Sequence, residues 1–91
     1  MGSRAEGSRG HWNYRLTVQT VEGVEVWTVR ELHYDDENNV TGWTENAASP
    51  YGESWQECAE DLLTMSGVVG LPAYDLDTKT WVDDRRKPIS I

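Results

Sequence analysis

Three groups of side chains in this sequence have the types and spacing that chemistry asks for. The first is the run Asp35-Asp36-Glu37-Asn38-Asn39, followed by Glu45. Alternating oxygen donors with a distal glutamate are the pattern of a calcium loop, but such a loop bends on a glycine at its sixth position. Val40 stands there and the nearest glycine is Gly42, so the run reads as a solvated turn, for which Asp and Asn are suited by bonding to their own backbone. The second is Glu31 with His33, two residues apart on one strand face. A carboxylate beside an imidazole can act as a general base or as half of a metal site. The only other histidine, His11, lies next to the leader, so an exposed surface pair is the expectation. The third is Cys58, alone in the chain and therefore unable to form an internal disulfide or a zinc site. Its spacing with Trp55 and Leu62 places it on an apolar helix face as a structural cysteine. No phosphate-binding glycine loop, nucleophile elbow or paired-cysteine motif is present. The expectation is a protein that is not an enzyme and takes neither metal nor cofactor.

The elements that must carry these residues are legible from periodicity. Trp12, Tyr14, Leu16 and Val18 alternate with Asn13, Arg15, Thr17 and Gln19, the mark of a strand with one buried face. Glu22-Gly23 then supplies a turn, and "VEVWTVRELHY" is a second strand with apolar residues on both faces. After the acidic tip, "VTGWTE" is a third, shorter strand. Ser54-Trp55-Gln56-Glu57 is a capping box, and Trp55, Cys58, Ala59, Leu62 and Met65 recur behind it at helical spacing. Gly67 closes a helix expected over Trp55 to Ser66. Beyond it, Tyr74, Leu76, Trp81 and Val82 form either a fourth strand or a small hairpin around "DTK". The fold class is α+β: a three-stranded antiparallel meander packed against one helix, with that short fourth strand as an option. Residues 1–10 read as a disordered leader, 11–84 as one domain and 85–91 as a flexible tail.

Composition limits the functions open to this fold. The chain has 91 residues, so its core is small, and five Trp and four Tyr must anchor it without any Phe. Net charge is −8. From His11 to Asp84 there are fifteen acidic residues against Arg15, Arg30 and Lys79, a balance of −12. Such a body repels phosphate, so direct nucleic-acid binding is not expected; the charge suits a basic protein partner or a cation, and solubility alone is the plain alternative. With one cysteine, no signal peptide and no membrane-length apolar run, a cytoplasmic protein without membrane contact is expected. Five tryptophans exceed what one small core takes in, and exposed aromatics mark contact surfaces. The expected interaction surface is Trp27, Glu31, His33, Tyr34 and Trp43, used by a protein partner or in a homodimer. A small-ligand site on the Trp-rich sheet face or in a dimer cleft is the alternative.

"WNYR", "ELHYDDENNVTGWTE" and "SPYGES" before a helix resemble a group of short uncharacterised bacterial proteins found on phages and integron cassettes. The likeness covers about residues 12 to 76 and implies no activity. More distantly, three strands followed by "YGESWQECAEDL" resemble the HicB-type antitoxin domain. Gly52, Glu53, Ser54 and Glu57 match its Gly-[Asp/Glu]-[Ser/Thr]-x-x-Glu-Ala helix start, while Ala59 falls one position late. That family's Pro-x-x-x-Gly-Cys segment is absent here. The resemblance implies a toxin-binding surface and an antitoxin-like inhibitor of a basic partner.

Overall fold

The computed structural model describes residues 11–89. The leader expected over 1–10 lies outside the described residues. Strands β1 (His11–Val21) and β2 (Val24–Tyr34) form a long hairpin in unbroken register, from His11 opposite Tyr34 to Val21 opposite Val24. Glu22 and Gly23 make its two-residue turn, both at positive φ (51° and 81°). This is the conformation whose twist suits a hairpin and which glycine adopts without strain. Strand β3 (Val40–Trp43) continues the meander along β2. Its register shifts between His33 and Tyr34, leaving Thr41 as the extra residue of a bulge. The bulge turns both Val40 and Trp43 to the same side of the sheet.

Helix α1 (Trp55–Ser66) has the expected bounds. Ser54 Oγ accepts the amide of Glu57 at 3.1 Å, and the Glu57 carboxylate accepts the amide of Glu53 at 3.0 Å. The reciprocal bond thus falls one residue before the cap. Gly67 keeps a right-handed conformation, and the turns after the helix run on to Gly70, where φ reaches 87°.

The three-stranded meander is only part of the sheet. Two more strands, β4 (Ala73–Asp75) and β5 (Thr80–Val82), make it five-stranded and mixed, in the order β3-β2-β1-β4-β5. Two antiparallel pairings leave β3 parallel to β1. Helix α1 then crosses the sheet, so β4 runs parallel to β1, at Thr17–Tyr74 and Val18–Asp75. β4 and β5 are the hairpin around "DTK". Residues 85–89, read from the sequence as a tail, fold back on β5. Val82 bridges Pro88, and the Ile89 amide donates to the Trp81 carbonyl at 3.0 Å.

The sheet divides the core in two. Leu32, Tyr34, Tyr74 and Leu76 are buried on the face away from the helix, with Val40, Trp43 and Trp81 packed around them. β3 and β4 are three strand spacings apart, about 14 Å in a flat sheet. Yet the Trp43 and Tyr74 rings lie 6.0 Å apart, and Tyr74 meets Trp81 edge-on at 5.0 Å. The sheet is therefore curled around this aromatic cluster. On the helix face, Val18, Ala73 and Val82 are buried, with Leu16 and Trp27 against them.

Candidate functional site

The expected interaction surface is split by the sheet. Trp27, Glu31 and His33 point to the helix face, opposite Val18, Tyr14 and Trp12 of β1. Tyr34 and Trp43 belong to the opposite, curled face, where Tyr34 is buried, stacked on His11 at 4.9 Å, and donates its hydroxyl to Asn13 at 2.8 Å. The five residues do not form one surface, because a period of two sends Tyr34 to the side opposite Trp27 and His33. Among those on the helix face, Trp27 donates Nε1–H to Glu25 at 3.1 Å, and His33 Nε2 lies 3.6 Å from Glu31 Oε1. The latter distance, on an accessible strand, is too long for a hydrogen bond.

The acidic tip satisfies itself. Asp35 Oδ1 accepts the amides of Glu37 and Asn39, each at 2.9 Å, and these bonds hold its carboxyl below the usual range. Asn38, at φ 67°, closes the turn by donating to the Asp35 carbonyl. Among the described residues no group of three His, Cys, Asp or Glu side chains could hold a metal ion. No helix among them is long and apolar enough to cross a membrane.

Sequence spacing misplaced the open surface. Of the apolar helix residues only Met65 is buried, and Cys58 is half-buried. Trp55 is 84% exposed, Leu62 54% and Leu63 70%, and Val69 beyond the helix is 76% exposed. The correction has a geometric cause: a helix packed on one side of a sheet buries only its underside, here Met65, and the flank beside it stays uncovered. The flank borders a cavity of about 400 Å³ lined by Leu62, Met65 and Val69 from the helix side, Val29 from β2 and Ala48 and Pro50 from the segment after β3. That segment is held in place by the Ala48 amide donating to Val29 at 2.7 Å and by Arg30, which donates to the carbonyls of Thr44 and Glu45. Leu16 forms part of its floor and also of a second cavity of about 640 Å³, walled by Trp27, Leu71, Pro72 and Ile89. On the other flank of the helix, Glu57, Glu60 and Asp61 stand together with Tyr51 and Thr64. The signal for this surface was present in the sequence as Leu62-Leu63, neighbours that one helical stripe cannot both hold, and as Val69 just beyond the helix.

No family model, curated protein or solved structure matches this chain.

Proposed function

We propose that this chain is a non-catalytic protein-interaction domain that docks its partner on the bare flank of α1 and the neighbouring row of β2. One observation carries the reading: Leu62 and Val69 are exposed along an apolar groove, and Trp55 and Leu63 of the same helix are exposed as well. Small soluble domains seldom leave large apolar side chains contiguous and uncovered unless something binds them. Self-association through this flank and an antitoxin-like hold on a partner are two forms of the same reading. The double substitution Leu62→Ser/Leu63→Ser tests it, since both side chains are exposed and their loss leaves the fold intact. Sedimentation velocity and affinity capture from the source cells should show an association that the variant loses. Identical behaviour of variant and wild type in both would overturn the reading.

A second reading is favoured by the cavity beneath Trp27, whose volume and apolar wall suit a small ligand. In a metabolite screen read by Trp fluorescence, a response abolished by Trp27→Phe supports it. A flat screen sinks it.

A further inference from the structure

The cavity under Trp27 has charged residues in its lining, unlike the groove beside α1. Asp83 and Asp84, just past β5, line it together with Trp27, Leu71, Pro72 and Ile89, and among the described residues no Lys or Arg does. The lining side chains offer acceptors and no open donor. Trp27 Nε1–H is the one donor they carry, and it is given to Glu25 at 3.1 Å. Arg86, which meets the same Glu25 at 3.5 Å, is held by Asp75 and Asp77 at 2.8 Å each. Asp83 stays ionised: its Oδ1 accepts the amides of Lys87 and Arg85, each at 2.9 Å, and these bonds, helped by the charges of the same two residues, hold its carboxyl below the usual range. Among the described residues neither Asp83 nor Asp84 is ion-paired. Asp83 is half-buried, and a carboxylate against an apolar wall gains from a counter-ion.

Resting on the small-ligand reading of this cavity, we infer that its ligand is a small organic cation, an apolar body that carries one ammonium group. The volume of about 640 Å³ falls within the range of small-molecule sites, about 300–1,000 Å³. The apolar body lies against Leu71, Pro72 and Ile89. The ammonium donates to the carboxylates of Asp83 and Asp84, and the Trp27 indole, the best of the aromatic side chains at attracting a cation, adds to the hold. The other charge types fit worse. An anion meets two carboxylates and finds no side-chain donor in the lining, and a neutral ligand leaves both carboxylates without a counter-ion.

The probes are three compounds of one shape and different charge: phenylbutylamine, phenylbutanol and phenylbutyrate. Binding to the full chain is followed by calorimetry and Trp fluorescence. The amine should bind about tenfold or more tighter than the alcohol, with the carboxylate weakest. Asp83→Asn/Asp84→Asn should erase that preference, since it removes both charges while an amide oxygen at position 83 can still accept the two backbone amides. Should the double variant fail to fold, Asp84→Asn alone, at an exposed position, should weaken the amine several-fold and leave the alcohol unchanged. Alcohol or carboxylate binding as tight as the amine would overturn the inference. An amine preference that survives loss of the carboxylates would overturn it as well, because the cation would then be held elsewhere. Each of these results leaves the small-ligand reading standing. Binding of none of the three probes would also overturn the inference, and together with a flat metabolite screen it would bring down both.

Discussion

Asp75 shows how one side chain can hold two distant parts of the chain together. It is buried on β4, receives Arg86 Nε at 2.8 Å and Nη2 at 3.1 Å, and also accepts the amides of Asp77 at 2.9 Å and Thr78 at 3.2 Å. Arg86 itself reaches on to Asp77 and to the Thr20 hydroxyl of β1, both at 2.8 Å. The guanidinium, and after it the backbone amides, hold the Asp75 carboxyl below the usual range. A carboxyl whose folded value is depressed contributes its full stabilisation above the ordinary value. That contribution drains away as pH falls through the ordinary value toward the folded one. Asp75→Asn should therefore lower stability by about 2 kcal/mol at neutral pH in urea unfolding. It should also flatten the acid limb of the stability curve below about pH 4, where the wild-type carboxylate takes up its proton. Aspartate and arginine are eleven residues apart, and the sequence shows only a charge cluster near the end of the domain. Their pairing becomes visible once residues 85–89 are seen folded onto β5.

At the scale of elements, the helix start is the part most firmly written in the sequence. The capping box set the boundary at Ser54 because the N-terminal amides of any helix need acceptors, and a serine followed by glutamate three positions on supplies them. What the motif did not announce is the constraint on Gly52. A Cβ at Gly52 would stand 2.6 Å from the Glu57 Cβ and collide with the backbone of Cys58. The chain entering the helix folds down onto its first turn, and only glycine permits that approach. Gly52→Ala should displace the entering segment at a cost of about 1–3 kcal/mol. Circular dichroism should show earlier thermal loss of helix with the strand signal little changed. The helix face itself was misread, since spacing ranks residues by angle around the axis and says nothing of how much of that arc a neighbour covers. Trp55 and Leu62 share a stripe with Met65 in the sequence, yet only Met65 is buried.

The whole molecule is organised around a curled sheet whose aromatic rings meet across strands. Trp43 of β3 and Trp81 of β5 come from opposite edges and both pack on Tyr74 of β4. Trp43→Ala would open that closure, and it should cost about 3 kcal/mol and remove a near-ultraviolet dichroism band from the coupled rings. An unchanged near-ultraviolet spectrum would show that the edges are held by other contacts. By itself, the sequence determined the α+β class, the long hairpin, the acidic turn, the helix limits and the excess of negative charge. Each of these follows from local periodicity, turn chemistry or a simple count. The tertiary structure decided the parallel pairing of β1 with β4, the separation of Trp27, Glu31 and His33 from Tyr34 and Trp43, and the bare flank of α1. The parallel contact rests on two residue pairs far apart in the chain, the face of each strand residue matters only once the sheet is assembled, and the exposure of a helix flank depends on which neighbours cover it.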